Sequence, residues 1–248
     1  MDMRLPAGLV DVNGKLHRDF EVREMTGYDE EYLLNNIKEN QETKLDTLIG
    51  FVLKMTVKLG SIEKLTDSDL KKLLIGDLTY MLVAIRQKSF GNFVSFKVNC
   101  PNCKKENEED VDITALKVKG LEDNSPRQFD VKLDAGWKNE AGKVFKDVKI
   151  KLLSVEDQIE ILKYSKTDIA RSVNTMYQKS IVEFGGLPIP VNQLILKELL
   201  KRDRDKIGNE IAKQTPGIEL TTEITCYECG TKFSVPIGVE NFFVSKAV

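Results

Sequence analysis

The segments CPNC at Cys100–Cys103 and CYEC at Cys226–Cys229 are the two CxxC motifs of the chain. A CxxC turn places two thiolates on one side of a metal ion, and two such turns supply the four ligands of a structural zinc site. Paired motifs of this kind usually lie about 15–20 residues apart. Here 122 residues separate Cys103 from Cys226. The spacing therefore needs an explanation from the rest of the sequence.

The rest of the chain contains the same features twice. Gly14-Lys15-Leu16 recurs 128 residues later as Gly142-Lys143-Val144. LKKLLIGD, which ends at Asp77, recurs 126 residues later as LKELLKRD, which ends at Asp203, with five of eight positions identical. The CxxC motifs are also 126 residues apart, so a net deletion of two residues reconciles the offsets. This collinear order predicts a tandem duplication in which each copy contributes one CxxC motif. The alternative is that two helix-to-hairpin units share common residues at common positions.

Each copy is predicted to begin with a β-hairpin. In the first copy, the strands Gly8–Val12 and Lys15–Glu24 flank Asn13-Gly14, a dipeptide suited to a tight turn because both residues tolerate positive φ. In the second copy, Gln128–Leu133 and Lys143–Leu153 flank a longer turn.

Apolar residues at helical spacing predict two helices after the first hairpin. The first helix includes Leu45–Val57 and ends near Gly60. The second begins after Thr66, which is a suitable N-cap with Asp69 three residues later, and its apolar stripe runs along Leu70–Ile85.

The second copy repeats this helical pattern. Asn192 occupies the equivalent cap position, and the apolar stripe runs along Leu196–Ile211. Each copy then ends in a strand, a CxxC motif and another strand. The predicted fold class is α+β, with a duplicated unit of β-hairpin, helices and zinc knuckle.

The repeat also predicts the domain boundaries. The first repeat covers 1–117, a linker covers 118–127, and the second repeat covers 128–248. The two knuckles, within 93–117 and 218–240, are expected to pair into one shared zinc ribbon.

Four thiolates would complete the coordination of zinc and leave no open position for hydrolytic chemistry. The sequence therefore predicts one structural zinc ion, with the ligands Cys100, Cys103, Cys226 and Cys229. A redox dithiol, unliganded core cysteines and an iron–sulfur cluster are the alternatives. Gly230 follows the second motif, where left-handed backbone is often needed, and Lys104 occupies that place less easily in the first.

Three polar residues are the other candidates for a functional site. His17 is the only histidine and is predicted to be an exposed strand residue. Asp77 and Asp203 fall on the apolar stripes of their helices, at matching positions of the repeat. They either serve a binding site or accept bonds from backbone N–H groups or a base such as Arg86. The second interpretation is favoured because buried carboxylates are nearly always satisfied locally. The sequence predicts no catalytic residue and no small-molecule substrate.

Phenylalanines provide the candidate apolar contacts. Phe90, Phe93 and Phe96 are predicted to pack the first ribbon on the helices. Phe242 and Phe243 are predicted to contact a partner.

Composition limits the classes of partner and compartment. The formal net charge is −2 and the pI is about 5.7, which disfavours nucleic acid as a partner. The first ten residues lack the apolar core of a signal peptide, and the longest apolar run, Tyr80–Ile85, is too short to cross a bilayer. A cytosolic protein is expected. Paired cysteines in a reducing compartment favour metal binding over disulfides.

Three segments resemble the baseplate hub assembly proteins of T-even-type contractile-tailed bacteriophages. They are LPAG at Leu5–Gly8, GDLTYMLVAIRQKSFG at Gly76–Gly91 and VNCPNC at Val98–Cys103. The resemblance covers roughly residues 5–115, and the second copy shows it more faintly. The second copy departs from the family pattern at Ala212, which stands where the first copy has Arg86.

The resemblance implies a non-enzymatic protein of the central hub. Such a protein would assemble with other hub or tail proteins in the host cytoplasm, and it could remain in the virion baseplate. The competing hypotheses are a nucleic-acid-binding zinc ribbon, which the acidic balance opposes, and a thiol oxidoreductase.

Overall fold

The computed structural model describes residues 3–36, 41–188 and 193–243, and these form an α+β fold. The predicted cap Asn192 lies outside the described residues. The elements of the first half are β1 (Arg4–Val10), β2 (Leu16–Val22), α1 (Gly27–Asn36), α2 (Gln41–Met55), β3 (Thr56–Leu59), α3 (Asp67–Lys72), α4 (Ile75–Phe90), β4 (Phe93–Asn99), β5 (Glu106–Asp112) and β6 (Val118–Lys119).

The second half follows nearly the same order. Its elements are β7 (Gln128–Lys138), β8 (Val144–Lys151), α5 (Val155–Leu162), α6 (Ile169–Ser180), β9 (Ile181–Phe184), β10 (Leu187–Pro188), α7 (Gln193–Glu198), α8 (Lys201–Gln214), β11 (Gly217–Ile218), β12 (Thr221–Thr225), β13 (Lys232–Pro236) and a 3₁₀ turn (Val239–Phe242). Antiparallel sheets β1-β2-β3 and β10-β9-β8-β7 begin the halves, and the two-stranded ribbons β4-β5 and β12-β13 end them.

The two opening hairpins close with the same turn chemistry. Asp11 Oδ1 accepts a hydrogen bond from the N–H of Lys15 at 2.9 Å, and Asn139 Oδ1 accepts one from Lys143 at 2.9 Å. Gly14 lies in the first turn with φ of 80°. The predicted hairpin at Asn13-Gly14 is therefore confirmed.

The entry to the first helix of each half is also built in the same way. Asp29 accepts hydrogen bonds from the backbone and hydroxyl of Thr26 at 2.9 and 2.8 Å. Asp157 accepts them from the backbone and hydroxyl of Ser154 at 3.1 and 3.0 Å. A basic side chain six residues upstream pairs with each carboxylate. These contacts satisfy backbone donors that a helix start leaves free.

In each half, one buried carboxylate ties the opening hairpin to a later helix. Asp77 accepts hydrogen bonds from the N–H groups of Ala7 and Gly8 at 2.8 and 3.1 Å. Asp203 accepts them from three consecutive N–H groups, those of 134–136, at 2.8 to 3.2 Å. Both side chains are fully buried. The interpretation of local satisfaction by backbone N–H groups is confirmed, and Arg86 is not the partner.

Burial raises the pKa of Asp77 to about 6, although the N–H groups of Ala7 and Gly8 lower it. The native state then keeps a proton that the unfolded chain releases near pH 4, so this contribution to stability is lost as pH rises through 6. Relative to Asp77→Asn, the wild-type free energy of unfolding should fall by about 1 kcal/mol between about pH 5 and 7. Urea titrations of wild type and Asp77→Asn measure this difference in stability. If wild type instead gained stability relative to the variant as pH rises, the raised pKa of Asp77 would be contradicted.

The described residues form two large apolar cores and one small cluster. The first surrounds α2 and α4 and contains Phe51 and Met81, and the second surrounds α8 and the β7–β9 sheet and contains Ile150 and Ile207. Helix α5 belongs to the second half by sequence, but its Val155 packs in the first core.

The halves are joined by backbone as well as side-chain contacts. The N–H of Val155 donates to Leu73 O at 2.8 Å, and Leu74 forms a β-bridge with Ser154. Strands β6 and β11 pair, and a Cβ at Gly76 would lie 1.9 Å from Pro216 O. Only glycine permits this approach between α4 and β11.

These long-range contacts correct the predicted helices. The Thr66–Asp69 capping box is confirmed, but the helix after it is broken at Leu73 and Leu74 into α3 and α4. The break occurs because both residues bond to the second half. The prediction that the preceding helix continues to Gly60 is also wrong, since α2 ends at Met55 and β3 pairs with β2.

His17 is buried rather than exposed. Its Nε2 lies 3.0 Å from Asp11 Oδ2, and its Nδ1 accepts a hydrogen bond from the N–H of Ser61 at 3.3 Å. The loop after β3 covers this face of the hairpin, and a Cβ at Gly60 would lie 2.4 Å from the imidazole. The prediction of an exposed strand residue is therefore wrong.

The phenylalanine predictions are largely reversed. Phe242 and Phe243 are buried in the first core, where the ring of Phe243 lies 5.0 Å from that of Phe51. Phe96 packs on this core as predicted. Phe90 and Phe93, the last residue of α4 and the first of β4, are instead 49% and 59% exposed.

Candidate metal centre

The two CxxC motifs lie at the tips of the two ribbons. In the first ribbon, β4 and β5 stay in register from Phe93–Asp112 to Asn99–Glu106. In the second, β12 and β13 pair from Thr221–Pro236 to Thr225–Lys232. Since each motif joins two paired strands, each ribbon holds its two cysteines in a short, well-anchored turn.

Both turns have the same backbone geometry. Lys104 donates its N–H to Cys100 O at 3.0 Å, and Gly230 donates its N–H to Cys226 O at 2.9 Å. Their φ angles are 63° and 69°. The left-handed position expected after each motif is therefore present, and Lys104 adopts it at a cost of about 1–2 kcal/mol for a residue with a Cβ.

The structure brings all four cysteine sulfurs together. The Sγ atoms of Cys100 and Cys229 are 3.7 Å apart, those of Cys103 and Cys226 are 3.6 Å apart, and all four lie within 4.8 Å of one another. A tetrahedral ion with Zn–S bonds of about 2.3 Å requires sulfur separations of about 3.8 Å. A disulfide needs about 2.05 Å. The cluster is thus close enough to hold a metal ion, and both of these short separations join different ribbons.

The second motif provides donors that favour thiolates. The hydroxyl and backbone of Thr231 lower the pKa of Cys229 to about 6. The backbone N–H groups of Cys229 and Glu228 lower the pKa of Cys226. Hydrogen bonds to an ionised sulfur stabilise the form that binds metals.

Cys103 shows the opposite constraint. The backbone N–H of Lys105 lowers its pKa, but burial and then the sulfurs of Cys229, Cys226 and Cys100 raise it, and the result is about 12. Thiolates packed this closely disfavour further ionisation. A divalent cation would offset part of the negative charge of four thiolates, so the donor set fits a metal ion. Four sulfur donors would close its coordination and make the ion a structural cross-link.

Two asparagines connect the motifs, and the sequence reasoning missed both. The buried Asn107 accepts a hydrogen bond from the N–H of Tyr227 at 3.1 Å and donates to Lys105 O at 3.0 Å. Asn102 donates to Thr231 Oγ1 at 3.2 Å. The available signal was the single neutral amide at Asn107 within the acidic strand ENEEDVD.

A family model described as T4 bacteriophage base plate protein matches residues 10–244. The chain belongs to this family. The match includes both CxxC motifs and nearly all of both halves, so the resemblance to T-even-type baseplate proteins is confirmed. Comparisons with the curated proteins and with the solved structures gave no match.

Membership in the T4 baseplate family indicates a structural protein of the phage tail rather than an enzyme, with other phage structural proteins as its partners. Within the described ranges, none of the helices has the length and apolar character that a membrane span requires.

Proposed function

We propose that the protein is a non-enzymatic assembly component of the central hub of a contractile phage tail baseplate. The observation that carries this proposal is the family match over residues 10–244. The protein acts in the host cytoplasm while the hub is built, and the finished baseplate is its place in the virion. Its working contacts are with other hub or tail proteins.

The four cysteines bind one structural zinc ion that fastens the ribbons of 93–117 and 218–240. The sulfur separations of 3.6 and 3.7 Å across the ribbons support this assignment, because they approach the edge of a zinc–thiolate tetrahedron. Asn102 and Asn107 support it further, since their hydrogen bonds to Thr231 and Tyr227 hold the two motifs against each other.

A tandem duplication of 1–117 and 128–248, joined by 118–127, accounts for the shared zinc site. Matched polar contacts support it. The hairpin turns at Asp11 and Asn139 are 128 residues apart, and the buried carboxylates of Asp77 and Asp203 are 126 apart. In such a protein each half supplies one knuckle, and the metal ion keeps the two halves in a fixed relation for assembly.

The hub function predicts that the full chain co-purifies with hub proteins when all baseplate proteins of the same phage are expressed together. Native pull-down detects the complex, and mass spectrometry of purified particles detects the chain in the virion. A tagged, unrelated protein of similar acidic charge is the control. A chain that stays a free monomer in the presence of all baseplate proteins would contradict the proposal.

A further inference from the structure

The two strands of the first ribbon have very different outer edges. Strand β5 has the sequence ENEEDVD, and its acidic side chains discourage pairing with another strand. Strand β4 has the sequence FVSFKVN, which is rich in aromatic and β-branched residues and has one charge. In the described part of the chain, β4 pairs with β5 alone. Its other edge is therefore a template for a further strand.

The main-chain groups of this edge can be assigned by alternation. Asn92 O accepts the N–H of Ile113 at 2.9 Å, so it faces the β5 side. Phe93 O accepts a bond from the guanidinium of Arg86 at 2.8 Å and faces away. Backbone direction alternates along a strand, so the N–H and C=O groups of Ser95 and Lys97 also face away from β5. Among the described residues, these groups form no hydrogen bond outside the ribbon.

A slot of about 440 Å³ runs along this edge. One wall is Phe93–Val98, and the other is Val235–Gly238 together with Phe242 and Phe243. Six consecutive residues of β4 line the slot, together with Glu108 of β5, so the slot follows β4 along its length. The exposed rings of Phe90 and Phe93 lie at its rim. Exposed aromatic residues beside a groove are typical of an interaction site.

The positive charge of Arg86, which lines the slot, indicates that the bound segment carries a carboxylate. Arg86 lies over the Phe90 ring at 4.8 Å and bonds to backbone carbonyls, while its Nε is buried without a partner. No carboxylate of the described residues pairs with Arg86. The second half has Ala212 at this position, and its Pro216–Gly217 packs against α4 instead. Within the described residues, the slot with an unpaired arginine is therefore a feature of the first half and not of the second.

We propose that this edge of β4 binds an extended segment of another baseplate protein as an added β-strand, with apolar side chains at alternate positions and a carboxylate beside Arg86. The identity of the partner rests on the proposed hub function. Strand addition combines main-chain hydrogen bonds with pockets for alternate side chains. A second copy of the chain fits less well, because its own β4, FVSFKVN, carries no carboxylate to place beside Arg86.

Ser95→Pro tests the edge directly. It removes an N–H that faces the slot and leaves the pairing with β5 intact, because proline is tolerated where the N–H faces outward. Ser95→Ala is the matched control, since both variants lose the hydrogen bond from Ser95 Oγ to Asp110. The probe is an array of overlapping peptides from the baseplate proteins of the same phage. Wild type and Ser95→Ala should bind the same peptides, and Ser95→Pro should bind about tenfold more weakly.

Metal content and circular dichroism of each variant verify that it is folded. Equal peptide binding by folded Ser95→Pro, or no bound peptide with wild type, overturns the inference. A concentration-dependent dimer that Ser95→Pro abolishes assigns the slot to a second copy and also overturns it. Failure of the hub function has a different signature, because wild type then co-purifies with no hub protein. If Ser95→Pro co-purifies with hub proteins as well as wild type does, the hub function is supported and strand addition at β4 is contradicted.

Discussion

Cys226→Ser is expected to reduce bound zinc from one ion per chain to none and to lower the free energy of unfolding by several kcal/mol. Cys226 is buried, and its Sγ lies 3.6 Å from that of Cys103 in the other ribbon. A serine hydroxyl does not replace a thiolate ligand, and ligation in a structural site is folding free energy. Elemental analysis measures the metal, and chemical denaturation measures the stability.

Thr225→Ser is a suitable control because this exposed residue precedes Cys226 in β12 and is not one of the clustered cysteines. It should keep the zinc and change stability by about 0.5 kcal/mol or less. A chelator should destabilise wild type and leave Cys226→Ser unchanged. Four freely titratable thiols in a native, metal-free wild-type chain of unchanged stability would refute the zinc assignment.

Asp77→Ala is expected to cost about 4 kcal/mol at neutral pH. The change leaves the N–H groups of Ala7 and Gly8 buried without acceptors, and each such donor costs about 1–3 kcal/mol. It also cuts the link between the first hairpin and α4. Urea titration with the metal-loaded protein measures the loss.

Two further variants place this result in context. Asp203→Ala should have a similar cost, because Asp203 accepts bonds from the N–H groups of 134–136. Asp19→Ala is the matched control, since this exposed carboxylate lies 3.8 Å from Arg4 and surface pairs contribute about 0–1 kcal/mol. If Asp77→Ala cost no more than Asp19→Ala, the carboxylate would not hold the hairpin to the helix.

Features that depend on neighbouring residues were predictable from the sequence. The Asn13-Gly14 turn, the Thr66–Asp69 capping box and the left-handed residue after each CxxC motif all follow from short-range chemistry. The burial of Asp77 was predictable as well, because it falls on an apolar helical stripe.

Features that depend on distant segments were not predictable. Leu73 and Leu74 continue a helical pattern, yet they leave the helix to bond with Ser154 and Val155. Phe242 and Phe243 have no local pattern, and they are buried because the turn at Val239–Phe242 packs on the first core. The slot beside β4 exists only because Val235–Gly238 lies opposite that strand.

The candidate metal centre divides along the same line. The sequence alone determined which four side chains offer sulfur, since each CxxC spacing brings two sulfurs to one side of a short turn. It left the separation across 122 residues open. Tertiary structure set the cross-ribbon distances of 3.6 and 3.7 Å, because the packing of α5 on the first core and the pairing of β6 with β11 carry the second ribbon to the first. Short-range chemistry shapes each knuckle, and contacts between the halves make them one site.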